Sequence, residues 1–71
     1  MPLIETAEDA ATIAETFLGR YYVFRKLLKA KREDDAWLVE FDVGVFNRQV
    51  ARIMLDAQTG KVTEYLSPDI Q

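Results

Sequence analysis

Ala10, Ile13, Ala14, Phe17 and Leu18 follow the i, i+3, i+4, i+7, i+8 spacing that gathers side chains into one stripe of a helix. Thr6-Ala-Glu-Asp9 reads as its start: Thr6 accepts from a first-turn N–H, and Asp9 at the third helical position reaches back as a short capping box. Glu5, Glu8 and Asp9 place negative charge where the helix dipole favours it. Gly19 is expected to end the helix in the left-handed conformation, which spares glycine a Cβ clash, with Arg20 suited to that end.

Further on, the period changes from helical to alternating. Over 36–46, Trp37, Val39, Phe41, Val43 and Val45 share one face, while Leu38, Glu40, Asp42, Gly44 and Phe46 share the other. Asn47-Arg48 reads as a tight turn into 49–57, where Ala51, Ile53 and Leu55 alternate with Val50, Arg52 and Met54. Asp56-Ala-Gln-Thr-Gly60 supplies turn chemistry, a carboxylate that accepts from backbone N–H groups ahead and a glycine for positive φ. Alternation resumes over 61–66, and Pro68 is expected to end the ordered chain.

The segment 20–32 carries two patterns. Val23, Phe24, Leu27 and Leu28 would make a helical stripe, which leaves open whether 20–26 extends the helix. The aromatic and β-branched run at 21–24 favours extended chain, and a strand ending in Glu33-Asp34-Asp35 turns directly into the next one, so we read a strand here.

The expected architecture is therefore α+β: one N-terminal helix packed on one face of a three- to four-stranded antiparallel sheet, in α-β-β-β-β order, as a single domain over 1–71. The face of Trp37, Val39, Phe41, Val43 and Val45 carries more apolar bulk and should meet Ile13, Phe17 and Leu18. One helix cannot cover both faces. Leu38, Phe46, Val50 and Met54 then form an outer apolar surface, with Glu40 and Arg52 as a charged surround, and such surfaces mark contact sites. A second copy, a different protein, or in part the tail 67–71 could cover it; a homodimer is favoured because most small oligomers are homodimers. The bland alternative is that Arg52, Glu40 and Asp42 keep the face wet enough to need no cover.

Helix, strand, Trp-initiated strand (Trp37-Leu-Val-Glu-Phe) and a strand closing on Asp56-Ala-Gln-Thr-Gly-Lys-Val62 together resemble the PepSY domain over roughly 6–66. The turn at 56–62 is the sharpest element of the likeness. The resemblance implies a helix-on-sheet fold and a non-catalytic module, of a kind found in protease propeptides and envelope proteins, with peptidase inhibition proposed for some members.

Composition narrows the chemistry. The chain has 71 residues, no His and no Cys, so disulfide frameworks, redox cysteines and Cys or His zinc sites are excluded. A chain this short buries only roughly 60% of its unfolded surface, and a partner or second copy would add to a small core. No export leader or membrane-length apolar run is seen, and the reading is cytoplasmic, without a membrane. Catalysis is not expected, since the usual bases and nucleophiles are missing and Ser67, the one serine, lies in an expected tail. No cofactor or metal is expected: Glu40 and Asp42, at i, i+2, read as a solvated sheet face, and Glu33-Asp34-Asp35 lacks the ligand spacing of a calcium loop.

Charge adds one rival reading. The net charge is −3, yet 20–32 holds Arg20, Arg25, Lys26, Lys29, Lys31 and Arg32 with no acid, beside Tyr21, Tyr22 and Phe24. Cations interleaved with aromatics suit single-stranded nucleic acid, with Arg25, Lys26, Lys29, Lys31 and Arg32 as the contacts. Cross-strand pairing with Glu40 and Asp42 explains the same cations without a ligand.

Overall fold

A computed structural model describes residues 3–68 of the chain. It contains α1 (Ala7–Leu18), β1 (Lys26–Glu33), β2 (Ala36–Asp42), β3 (Val50–Asp56) and β4 (Val62–Leu66). The strands form one antiparallel sheet in the order β1-β2-β3-β4, and α1 packs on one face of it. This is the expected α-β-β-β-β arrangement with four strands.

α1 starts where the sequence places it. Thr6 is extended, at φ −131° and ψ 159°, and its Oγ1 accepts from the Asp9 N–H at 3.1 Å. This satisfies one of the donors that every helix start leaves without an internal partner. Ala10, Ala14 and Leu18 are buried, with Ile13 and Phe17 packed at the margin of the core. The two alanines bring the helix axis close to the sheet.

The helix end differs from expectation. Gly19 is right-handed, at φ −59° and ψ −17°, so the left-handed stop is not used. The N–H groups of Arg20, Tyr21 and Tyr22 instead donate to the carbonyls of Phe17, Leu18 and Leu18, at 3.3, 2.9 and 2.9 Å. The final turn tightens and satisfies those carbonyls without a reversal of hand.

β1 also begins later than the aromatic run suggested: residues 20–25 are neither helix nor strand. Tyr21 and Tyr22 join a cluster with Phe17 and Tyr65 on the helix-facing side of the edge strand β4 instead of joining a ladder, and Phe24 stays exposed. Phe17 lies 5.6 Å from Tyr21 and 5.2 Å from Tyr65, and Tyr21 stacks on Tyr65 at 5.9 Å, centroid to centroid. Offset and edge-on rings of this kind gain from packing on one another. Arg25 Nη1 fastens the segment by donating to the carbonyls of Tyr22 at 2.6 Å and Val23 at 3.2 Å. Ser67 belongs to this cluster and not to a free tail, since its Oγ lies 3.0 Å from the Tyr22 hydroxyl. Of the tail 67–71, residues 69–71 lie outside the described residues, as do 1 and 2, and the expectation that the ordered chain ends at Pro68 falls there.

A further correction concerns 43–49. β2 ends at Asp42, and the expected Asn47-Arg48 turn is replaced by a longer loop. Asp42 Oδ1 accepts from the N–H groups of Gly44 at 3.0 Å and Gln49 at 3.1 Å. Val43 N–H donates to the Gln49 carbonyl at 2.8 Å, closing the base of the loop. Gly44 is required there because a Cβ would overlap the Asn47 carbonyl oxygen. Val43 stays buried, but Val45 leaves the core face and is 73% exposed, and Phe46 leaves the outer face and stands 96% exposed on the loop.

The remaining turns match their chemistry. Asp34 and Asp35 alone connect β1 to β2, Asp34 taking φ 55°, a left-handed position aspartate tolerates. Asp56 Oδ1 accepts from Gln58 N–H at 2.7 Å, the Gly60 N–H donates to the Asp56 carbonyl at 2.8 Å, and Gly60 has φ 75°.

The core joins Trp37, Val39, Phe41 and Val43 of β2 and its extension to Ala51, Ile53, Leu55 and Ala57 beneath α1. Ile4, not anticipated, is fully buried as well. Its N–H donates to the Ala57 carbonyl at 3.0 Å, and that of Leu3 to Gln58 at 3.3 Å, so the N-terminal segment is tied to the β3–β4 turn.

Candidate functional site

Paired residues of antiparallel strands project from the same face, so the register assigns the outer surface directly. Lys29 pairs with Glu40, Glu40 with Arg52, and Arg52 with Leu66. The adjacent row runs Lys31, Leu38, Met54, Glu64. On one flank of these rows lie Lys26, Asp42 and Val50, and on the other Glu33, Ala36 and Asp56. All of them lie opposite the face that α1 covers, since their strand neighbours Val39, Phe41, Ala51, Ile53 and Leu55 fill the core.

Leu38, Val50 and Met54 are half-buried here, between charged neighbours. Arg52 Nε donates to Glu40 Oε2 at 2.9 Å, the closest ion pair among the described residues. The Glu40 side chain is only 18% exposed although nothing described lies above it, because Lys29 and Arg52 flank it on both sides. Lys31 Nζ lies 4.0 Å from Glu33 Oε2. The face is thus a mosaic, with Leu38 and Met54 adjacent in one row and an alternating charge row beside them.

Four of the five residues assigned to this surface from the sequence, Leu38, Val50, Arg52 and Met54, come together on it. The fifth, Phe46, does not. Leu66, 42% exposed beside Arg52, was missed, as was Glu64, while the cross-strand pairing of the basic segment with Glu40 and Asp42 was expected without the positions that Lys29 and Lys31 take in the rows. Finding them requires the registers of β1 and β4, and both are set by a bulge, at Leu27/Lys29 and at Met54/Leu55. Short exposed strands with mixed composition give little sign of where the extra residue falls.

The basic segment is divided by the fold. Lys26, Lys29 and Lys31 face outward, and the first two stand opposite Asp42 and Glu40. Arg32 pairs with Trp37 on the other face and donates from Nε to the Asp34 carbonyl at 2.9 Å. Arg25 turns toward the helix, beside a groove of about 380 Å³ lined also by Glu8, Glu15, Leu27, Ala30 and Phe41. Tyr21 and Tyr22 belong to the ring cluster on the helix-facing side of β4, on the opposite face from Lys29 and Lys31.

Two titrating groups are displaced from their ordinary range. Asp42 is held below it by the N–H groups of Gly44 and Gln49, which bond to the charged carboxylate. Tyr65 is pushed up to about 12, by burial first and by its hydrogen bond to Tyr22 second. The Tyr65 hydroxyl donates to that of Tyr22 at 3.3 Å. The Glu33-Asp34-Asp35 acids all lie exposed at the hairpin. No helix among the described residues is long and apolar enough to cross a membrane.

Compared with family models, with curated proteins and with solved structures, the chain matches none.

Proposed function

We propose that this protein is a non-catalytic interaction module, PepSY-like in build, that acts by burying the outer face of its sheet, chiefly against a second copy of itself. The observation that carries this reading is the one-sided cover of the sheet. α1 protects one face, while Leu38, Val50, Met54 and Leu66 on the other have no covering element among the described residues. Apolar anchors ringed by charge make up the anatomy of a contact surface, in which a few buried side chains supply most of the energy and the rim sets orientation. A small core gives a further reason for a partner, because added burial stabilises a chain with limited interior. The lack of cysteine suits the reducing cytoplasm, where we place it.

The distribution of cations favours this reading over nucleic-acid binding. A strand-tracking groove needs its cations and aromatics on one path, and here Lys26, Lys29 and Lys31 lie on the outer face while the ring cluster of Tyr21 and Tyr22 packs on the helix-facing side.

The test is the native mass of the purified chain by light scattering, with and without charge on the face. Val50→Glu and Met54→Lys should keep the circular dichroism of the wild type and weaken dimerisation by roughly thirtyfold each, the equivalent of about 2 kcal/mol. A dimer that persists unchanged in both variants would show that the contact lies elsewhere.

A further inference from the structure

We infer that the second copy docks with its two-fold axis parallel to the strands, between β2 and β3, so that β2 of each copy lies over β3 of the other. This rests on the self-association reading and adds the geometry of the contact.

Rotation about such an axis reverses the order of the strands but keeps every row at its own height. The row Lys29, Glu40, Arg52, Leu66 then faces the partner's row in reverse, so Glu40 meets the partner's Arg52 and Lys29 lays its aliphatic stem on the partner's Leu66. The row Lys31, Leu38, Met54, Glu64 does the same: Lys31 meets the partner's Glu64, and Leu38 meets the partner's Met54. Both rows are complementary to their own reversal. At the centre, the 2.9 Å Glu40–Arg52 pair of one copy would sit head to tail on that of the other, each charge facing its opposite.

The other in-plane axis, perpendicular to the strands, lays each strand across itself. Placed on the first row it sets Lys29 on Lys29, Glu40 on Glu40 and Arg52 on Arg52; placed on the second it sets Lys31 on Lys31 and Glu64 on Glu64; placed between the rows it sets Lys29 on Lys31 and leaves Glu40 over Leu38. Like charges facing each other in a contact are strongly disfavoured, so the pattern selects the axis along the strands.

Sheet twist is compatible with this. Packed sheets cross at about 30°, and with strands about 4.8 Å apart, β2 and β3 lie so near the axis that their rows stay aligned. β1 and β4 shift against each other by roughly one residue, a distance that Lys31 and Glu64 side chains span.

Lys31 and Glu64 lie on opposite edge strands, with β2 and β3 between them, so they cannot compensate for each other within one chain. This permits a decisive exchange experiment. Lys31→Glu alone places acids against the partner's Glu64, and Glu64→Lys alone places cations against the partner's Lys31. Each variant should dimerise roughly tenfold more weakly than the wild type, and an equal mixture of the two should recover the wild-type affinity, because both edge contacts of the mixed dimer are opposite in charge. Sedimentation or light scattering across a concentration series reads this, and circular dichroism confirms that each variant is folded. A mixture no tighter than its components, in a protein whose dimer is still broken at Val50 or Met54, would overturn the axis and leave the outer-face contact standing. A wild-type chain that stays monomeric throughout would overturn self-association and the axis together.

Discussion

Asp42 shows how one side chain decides a connection. Its Oδ1 collects the N–H groups of Gly44 and Gln49, and these bonds favour the charged carboxylate over the neutral acid. The folded state therefore holds this carboxyl below the unfolded value of 3.8. A group depressed on folding contributes stability that is present above its unfolded value and is lost as pH falls through the folded one. Urea unfolding across a pH series should show wild-type stability declining below about pH 3.8. Asp42→Asn, which keeps an acceptor oxygen but cannot titrate, should be less stable at neutral pH and decline less steeply in acid. In the sequence, Asp42 is indistinguishable from any polar position of an alternating strand. Alternation continued through Val43 and Val45, and nothing in residue type announced that the carboxylate would fold the chain back on itself. Gly44 was the available hint, since a glycine inside a strand pattern often marks a close backbone approach.

At the scale of elements, local signals were read well where a single residue type has a single task. The stripe on α1, the Thr6 cap and the Asp56-to-Gly60 turn each match the structure, because each depends on neighbours within a few positions. Thr6→Ala should lower the unfolding free energy by about 1 kcal/mol, measured by urea titration, through loss of the bond to Asp9 N–H. The aromatic run at 21–24 was misread for the opposite reason. Tyr21 and Tyr22 have high strand propensity, but their rings and hydroxyls are claimed by Phe17, Tyr65 and Ser67 beside the edge strand β4, and tertiary packing overrides propensity. The partner residue Tyr65 lies far along the chain, so no local window contains the competition. The late start of β1 has the same cause: the chain must leave the ring cluster before it can join β2.

For the whole molecule, the core couples helix to sheet through a few fully buried positions. Ile53, in the middle of β3 and fully buried, should be costly to shorten: Ile53→Ala is expected to remove about 3 kcal/mol, read from the denaturant midpoint at unchanged slope. In a chain of this size, that is a large share of the total stability. The candidate surface was legible in part for the same reason that the core was. Alternation over β2 and β3 separates Leu38, Val50, Arg52 and Met54 from the buried set whatever the strand order, whereas Lys29, Lys31, Glu64 and Leu66 join them only through the pairing of β1 and β4.

The β1-β2-β3-β4 order has a kinetic consequence. Every strand pairs with its neighbour in sequence, so each ladder closes a short loop and none has to wait for distant chain to arrive. The entropy of loop closure grows with the number of intervening residues, and folding slows as contacts become less local. In this chain the costly closures are those that join the ends to the rest: Ile4 to Ala57, and Tyr22 to Ser67. The meander can therefore assemble first from local hairpins, and the final stitching of both chain ends converts a zipped sheet into a locked one.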